Sequence, residues 1–294
     1  MLGGAVCPVT AALSLGGIAV AAAMAWKAEH KPAPARFAAV SALIFAGQMV
    51  NFPVQFGTSG HLLGGVLAAA LLGVPFGVLA IALVVTLQCL VFADGGLAVL
   101  GANLLNMAIL GAGVGGWLCQ RLPAFIAPER RPFSLALAAW LSVLLAALGC
   151  SLELAAAGTI PFLQVLPAML GVHALIGVGE AVATVAVMSL LTRPAARASE
   201  RSTVFFLGLS ACIVVLLVAP FACHWPDGLA SVAATLRFLH ASAPSFVAPL
   251  PAYAIPAISN QMLSTSLAGL IGAVVTFLAA WGLARTWQRC PAVT

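Results

Sequence analysis

Long apolar runs separated by short polar or charged segments dominate the sequence, and they predict nine membrane-spanning helices. A helix that crosses the hydrocarbon core of a bilayer needs about 20 residues. The pattern therefore predicts an all-α fold, a polytopic transmembrane helical bundle. The runs cover 4–26, 37–54, 60–73, 75–93, 102–120, 134–157, 165–191, 203–220 and 262–285.

Two of the nine runs are irregular. Asn51 and Pro53 interrupt the second run, and the third run covers only 60–73. A helix of that length rises about 21 Å, which is less than the roughly 30 Å of the hydrocarbon core. We therefore expect the segment 48–60 to fold back into the membrane. Irregular backbone is tolerated there only if it is buried in protein or lines a polar cavity.

The composition supports a membrane protein and excludes other classes. Of the 294 residues, 63% are hydrophobic and only 6% are charged, whereas a soluble domain has about 25% charged residues. The basic residues stand singly or in pairs without aromatic interleaving, so they do not indicate a nucleic-acid partner. We predict a multi-pass protein of the inner (plasma) membrane.

The positions of the basic residues predict an orientation. Because Lys and Arg are enriched in cytoplasmic loops, we place the N-terminus outside and the C-terminus inside. Eleven of the twelve basic residues then lie in inside segments, and only Arg237 lies outside. The polar stretch 192–202 is predicted to be a cytoplasmic linker. The Pro-rich stretch 221–261 is predicted to be an extracytoplasmic loop that does not form one continuous helix.

Polar residues in or beside the spans are candidate functional residues, because such groups are costly in a membrane. His61 follows the small polar stretch that contains Thr58 and Ser59. Its imidazole could bind a transition metal such as Ni or Co. Alternatively, it could form a hydrogen bond to a backbone carbonyl that fixes the fold-back.

Four further polar residues are candidates, of which two are given a structural interpretation and two have a functional interpretation beside the structural one. Asp94 precedes two glycines, which is typical of a turn at the membrane surface, and Asn103 could cap the next helix. His173 and Glu180 are seven residues apart, so they lie on one helix face. They could form a proton relay, or they could make a polar contact with another helix.

The remaining polar residues of the spans receive structural interpretations. Asn106 could bridge two helices, and Glu153, near the outer end of the sixth run, is predicted to be interfacial. The sequence contains no G-x-x-x-x-G-K-[ST] phosphate loop and no H-E-x-x-H or G-x-S-x-G motif. We therefore predict that the chain is not an enzyme and does not hydrolyse ATP by itself.

Two central blocks resemble one family closely. FAAVSALIFAGQMVNFPVQFGTSGHLLGG at 37–65 and LQCLVFADGGLAVLGANLLNMAILGAGVGG at 87–116 resemble the substrate-binding component of cobalt/nickel energy-coupling-factor transporters, the CbiM/NikM family. HALIGVGEAVATVAV at 173–187 is similar to the last helix of that family. PDGL at 226–229 resembles the PDGLE motif of the small N component, with Ala230 in place of its Glu.

The resemblance implies an organisation and a function. It implies a seven-helix metal-binding module at 1–191 and a two-helix N-component-like module at 203–294 that carries the extracytoplasmic PDGL loop. Co(II) or Ni(II) is then the transported substrate and no cofactor is bound. A transmembrane T component and two cytoplasmic ABC ATPases are the expected partners.

The resemblance also implies a set of metal ligands. The family uses the terminal amine, the backbone nitrogen and imidazole of a His at the second position, and the His of a TSGH motif, which is His61 here. Met1 supplies the amine only if it is the true start, and Leu2 stands where the second-position His is expected. We therefore expect the native chain to begin a few residues upstream. Asn51, Thr58 and Ser59 are candidates for supporting the ligands or lining the metal pathway.

Two alternatives belong to other classes. One is an ion-driven secondary transporter that uses Asp94, His173 and Glu180 as a relay. The other is a vitamin-binding component of the same transporter class, which should expose aromatic residues on its outer side. The chain has a single Tyr, Tyr253, and this favours the metal.

Overall fold

The computed structural model describes residues 2–55, 57–126, 130–191, 199–239 and 246–288. Met1 and most of the predicted linker, 192–198, lie outside the described residues. The elements are α1 (Val6–Lys27), α2 (Pro34–Gln48), β1 (Phe52–Gln55), β2 (Thr58–Gly60), α3 (Gly65–Leu72), α4 (Val74–Phe92), α5 (Leu97–Ala124), α6 (Arg131–Ala156), α7 (Phe162–Leu191), α8 (Glu200–Phe221), α9 (Gly228–Thr235) and α10 (Gln261–Gln288).

Seven helices of the described chain are long and apolar enough to cross a membrane, namely all except α2, α3 and α9. They correspond to seven of the nine predicted spans. The other two predicted spans contain α2, with 15 residues, and α3, with 8 residues. At 1.5 Å per residue, α2 is about 22 Å long, so it does not reach across the hydrocarbon core as a straight helix.

The chain is mostly helical, as predicted, but the segment after α2 contains a small antiparallel hairpin that makes a strictly all-α description wrong. Strand β1 pairs with β2, with Phe52 opposite Gly60 and Pro53 opposite Ser59. Gly57 between the strands has φ +75°, a conformation that glycine adopts without steric cost. The predicted departure from helix at 48–60 is therefore confirmed, and its form is a hairpin.

Helix α2 lies at the centre of the bundle. Phe37, Val40 and Phe45 are fully buried, and α2 packs against α4, α8 and α10. Gly272 of α10 lies so close that a Cβ there would collide with the rings of Phe45 and Phe92. The helices after residue 199 therefore share one hydrophobic core with the first half of the chain.

In its described residues, the segment between α8 and α10 contains the short α-helix α9 and a single 3₁₀ turn at Pro251–Tyr253, so the prediction that it is not continuously helical is confirmed. Asp227 is the N-cap of α9, because its Oδ1 accepts a hydrogen bond from the Ala230 backbone N–H at 2.7 Å. Helix α8 begins at Glu200, with Ser199 as its N-cap. The last residues of the predicted linker 192–202 are therefore helical.

Candidate metal-binding cavity

His61 follows directly after β2 and lines two adjoining cavities. The wider cavity has a volume of about 560 Å³ and the smaller one about 160 Å³. The imidazole Nδ1 lies 3.1 Å from the backbone carbonyl oxygen of Leu62. When Nδ1 donates to this carbonyl, Nε2 keeps its lone pair. The two interpretations of His61 are therefore compatible, because one nitrogen can fix the ring while the other remains a ligand.

Glu180 of α7 holds the turn that follows His61. Its Oε2 accepts a hydrogen bond from Leu63 N–H at 2.7 Å, and its Oε1 accepts one from Gly64 N–H at 2.8 Å. Gln48 of α2 donates to the Leu63 carbonyl at 2.7 Å. Glu180 is 1% exposed, so these two backbone donors satisfy a carboxylate that water does not reach. Glu180 was predicted to contact another helix; it does make a polar contact outside its own helix, but its partners are backbone groups of the turn before α3.

His173 does not share a hydrogen bond with Glu180. Its Nδ1 lies 2.8 Å from the Met169 carbonyl of its own helix, and the residue lines the smaller cavity with His61. The two residues lie on one helix, but each binds a different group. The proposed relay between them therefore has no hydrogen-bonded connection among the described residues.

The loop before α9 covers the hairpin and forms one wall of the cavities. Ser59 donates from its backbone N–H to the Pro226 carbonyl at 2.8 Å and from its hydroxyl to the Trp225 carbonyl at 2.7 Å. The hydroxyls of Thr58 and Ser231 are 2.6 Å apart. Asp227 lines both cavities, so the PDGL segment is part of the site.

The backbone of Asn51 also attaches the hairpin to the second half of the chain. Its carbonyl oxygen accepts a hydrogen bond from the Cys223 N–H at 2.8 Å. Together with the Ser59 bonds, this contact ties both ends of the hairpin to the segment that follows α8. The candidates Asn51, Thr58 and Ser59 therefore hold the hairpin, and through it His61, against the second half of the chain.

Asp94 lies at the exposed end of the wider cavity. Its Oδ2 accepts a hydrogen bond from the Tyr253 hydroxyl at 2.7 Å, and the Tyr253 ring stacks on Phe92 with centroids 4.5 Å apart. Burial, and then the neighbouring Asp94 carboxylate, raise the pKa of Tyr253 well above its ordinary value. Asp94 lies in the short connection between α4 and α5, in which Gly95 and Gly96 have positive φ, and this agrees with the predicted turn.

Asn103 does not cap a helix, contrary to the prediction. Helix α5 begins at Leu97, so Asn103 lies inside it, and its side-chain amide packs against Gly95. It lines both cavities. The predicted apolar run begins at 102, five residues after the helix itself begins. Asn103 was therefore assigned to the helix start when it lies more than one turn inside the helix.

Asn106 and Glu153 are cavity residues whose importance the sequence did not indicate. Asn106 donates from Nδ2 to Glu153 Oε2 at 2.9 Å, which confirms the predicted bridge between two helices. Its predicted position near the membrane interface stays a prediction, but its side chain is only 7% exposed and is therefore buried within the protein. Hydropathy could not show this, because Glu153 is the only charged residue of its run and its partner lies 47 positions away.

The cavities are acidic and reach the start of the chain. Asp94, Glu153 and Asp227 line the wider cavity, and none of the described lining residues of either cavity is Lys or Arg. Leu2 also lines the wider cavity. Within the described ranges, no three His, Cys, Asp or Glu side chains gather as a metal site. A metal held by His61 would therefore need backbone, amide or water ligands as well.

The fold and the cavity define a multi-pass integral membrane protein with an acidic, histidine-containing cavity. Comparison with known proteins identifies the family within this class. Residues 1–198 match the CbiM family, described as the cobalt uptake substrate-specific transmembrane region, and residues 201–289 match the PDGLE domain. The chain belongs to the CbiM family and carries a fused PDGLE domain, so it is a metal-transport membrane protein.

Individual relatives agree with the family. A putative fused nickel transport protein NikMN of Archaeoglobus fulgidus is 35% identical over 260 residues, covering 85% of each chain. A fused nickel transport protein NikMN of Rhodobacter capsulatus is 30% identical and covers 87% of this chain and 86% of its own. The crystal structure of a truncated transition metal transporter has 31% identity and a TM-score of 0.57, covering 65% of this chain and 94% of its own.

Proposed function

We propose that the chain is the substrate-capturing component of an energy-coupling-factor importer for Co(II) or Ni(II). Nine membrane crossings, with the N-terminus outside, place the His61 cavity at the outer face. Residues 1–191 form the metal-binding module, 192–202 the cytoplasmic linker, and 203–294 the PDGLE-type module. In the plasma membrane, the chain assembles with a transmembrane T component and two cytoplasmic ATPases. These partners supply the energy that releases the metal ion to the inside.

One observation carries this proposal: His61 and Leu2 line the same cavity. Residue 2, which stands where the resemblance expects a ligand, and His61 therefore border one space. Nitrogen donors suit Ni(II) and Co(II) better than they suit Mg(II) or Ca(II). Met1, whose amine is the further expected donor, lies outside the described residues.

The charge of the cavity also favours a cation. Three carboxyl side chains line the wider cavity, and no described lining residue carries a Lys or Arg charge against them. A cleft of one charge sign raises the local concentration of the opposite ion. An organic vitamin would require aromatic contact, and no Phe, Trp or Tyr is among the described lining residues of either cavity.

A secondary transporter with an Asp94–His173–Glu180 relay receives less support. Asp94 binds Tyr253, His173 binds the Met169 carbonyl, and Glu180 binds two backbone N–H groups. Each side chain is thus occupied by a separate structural partner. No chain of hydrogen bonds joins the three within the part of the sequence that the structure describes.

The test is uptake of labelled Co(II) and Ni(II) in cells that lack their own importers and express this chain with its T component and ATPases. We expect His61→Ala to lower high-affinity uptake at least about tenfold, a loss of about 1.4 kcal/mol in binding. The control is His30→Ala, since His30 is an exposed residue after α1. Unchanged uptake by His61→Ala rejects the metal site. Uptake that needs no ATPase and stops when the proton gradient collapses rejects the importer class.

A further inference from the structure

The wider cavity opens at one end, and Asp94 is the charged residue at this opening. All the exposed residues among its described lining lie in the stretch 94–98. The other described lining residues, His61 among them, are buried or half-buried. An ion that approaches from solvent therefore passes the stretch 94–98 before it reaches His61, and Asp94 is the only charged residue in that stretch.

Tyr253, from the second half of the chain, holds the Asp94 carboxylate at this opening. Its hydroxyl donates a hydrogen bond to Asp94 Oδ2 at 2.7 Å. Burial, and then the Asp94 carboxylate, raise the pKa of Tyr253, so the hydroxyl keeps its proton and remains a donor at neutral pH. The bond occupies one carboxylate oxygen, and the exposed Asp94 side chain offers the other to solvent or to an ion.

The loop that carries Tyr253 is attached to the end of α4, directly before Asp94. The Tyr253 ring stacks on Phe92 with centroids 4.5 Å apart. The backbone N–H of Leu250 donates to the Val91 carbonyl at 2.9 Å. These two contacts fix the position of the tyrosine ring, and they thereby fix the hydroxyl that binds the carboxylate.

The backbone on both sides of this contact has an unusual conformation. Ala93, directly before Asp94, has φ +55°, and Ala252 and Tyr253 have φ +54° and +56°. Residues other than glycine seldom adopt positive φ. Such conformations persist where the surrounding structure enforces them, and they cluster at functional sites. The fold therefore maintains the contact of Asp94 with Tyr253 against the preference of its own backbone.

We propose that Asp94 attracts the incoming divalent cation to the cavity, and that Tyr253 is the positioning residue that keeps the carboxylate at the opening. The proposal rests on the proposed function, because the cation is the Co(II) or Ni(II) that His61 takes. None of the described lining residues of the wider cavity is Lys or Arg. A carboxylate at the mouth of such a cleft raises the local cation concentration and the association rate.

This role differs from that of a structural tie between the two halves of the chain. An attracting charge acts before the ion reaches its ligands, so it changes the association rate and leaves the dissociation rate unchanged. Its effect also weakens as salt screens the charge. A contact that only stabilises the fold would change the unfolding midpoint and would give no salt-dependent association.

The test is the association rate of Co(II) with the purified full-length chain, followed by stopped-flow quenching of tryptophan fluorescence. The rate is measured at ionic strengths of about 0.01 M and about 0.1 M, where the Debye length is about 30 Å and about 10 Å. We expect the higher salt to slow association to the wild type at least about threefold. Asp94→Asn should be slower than the wild type at low salt by a similar factor, with little salt dependence and an unchanged dissociation rate.

Glu29→Gln is the matched control, because it removes the same charge from an exposed residue that is not among the described lining of either cavity. It should keep the wild-type association rate. An association rate of the wild type that does not depend on ionic strength overturns the proposal, and so does a wild-type rate in Asp94→Asn.

Tyr253→Phe tests the positioning role, because it keeps the stacked ring and removes only the hydroxyl. Asp94 then keeps its charge but loses its support, so we expect an association rate between those of the wild type and Asp94→Asn, with the salt dependence retained. Because Tyr253 acts through Asp94, the double variant should associate no more slowly than Asp94→Asn alone. Additive losses in the double variant overturn the positioning role.

Failure of this proposal is distinguishable from failure of the proposed function. If His61→Ala binds Co(II) as tightly as the wild type, the proposed function is overturned, while the association rate of Asp94→Asn still decides the role of Asp94. If His61→Ala loses Co(II) and Asp94→Asn associates at the wild-type rate, the role of Asp94 alone is overturned. If Asp94→Asn does not fold, the salt dependence of the wild type and the rate of Tyr253→Phe decide.

Discussion

Replacing Glu180 by Met tests whether this buried carboxylate positions His61. Met has a similar length but accepts no strong hydrogen bond, so the Leu63 and Gly64 N–H groups, bound at 2.7 and 2.8 Å, lose their acceptor. Each orphaned buried donor costs about 1–3 kcal/mol, which gives about 2–6 kcal/mol for both. Glu180→Gln keeps one acceptor and should lose about half as much.

The assay is thermal unfolding of the purified chain together with Co(II) affinity by titration calorimetry. A loss of 2–6 kcal/mol should lower the unfolding midpoint by at least about 4 °C, taking roughly 2 °C per kcal/mol for a chain of this size class. Because His61 directly precedes the released turn, we also expect the Co(II) affinity to fall about tenfold. Thr184→Val, one turn further along the same buried helix face, should leave the Co(II) affinity unchanged.

Two outcomes would refute this reasoning. If Glu180→Met unfolds at the wild-type temperature and binds Co(II) as tightly, the carboxylate does not hold the turn. If Glu180→Gln is as impaired as Glu180→Met, the negative charge matters and the number of acceptors for the two backbone N–H groups does not. The graded order of wild type, Gln and Met is the result that the two-bond geometry requires.

Two further predictions concern the contacts between the halves of the chain. Gly272→Ala should destabilise the protein by about 1–3 kcal/mol through overpacking against Phe45, whereas Gly282→Ala, which meets nothing within 4 Å, should not lower the unfolding midpoint. Tyr253 is the single tyrosine, so tyrosinate absorbance reports it alone. Its pKa is raised by burial and by Asp94, so ionisation should begin well above pH 10, and Asp94→Asn should lower the pKa; an ordinary wild-type pKa would contradict the buried contact.

The apolar runs were sufficient to predict the long helices but not the hairpin. Asn51 and Pro53 correctly indicated where helix α2 had to end. They could not indicate strands of four and three residues, because such short strands have no readable periodicity. The hairpin is held partly by Ser59, whose hydroxyl partner Trp225 lies 166 positions away. A pattern along one segment carries no information about a partner at that distance.

The candidate site was predictable only in part for the same reason. His61 could be singled out from its local setting of small polar residues beside a broken helix. The roles of Glu180 and Asp94 depend on partners that are 117 and 159 positions away. The sequence therefore indicated which polar residues are costly to bury, but it could not say which groups compensate each of them.

The carboxylates around the cavity differ in the hydrogen-bond donors that compensate their burial. Glu180 accepts two backbone N–H bonds, Asp94 accepts the Tyr253 hydroxyl, and Asp227 accepts the N–H at its own helix cap. Each of these three acids has a structural partner that accounts for its position. Glu153 has one amide donor and, among the described residues, a second buried oxygen with none. Among these four acids Glu153 therefore has the least structural compensation, which is costly for a carboxylate within a membrane protein.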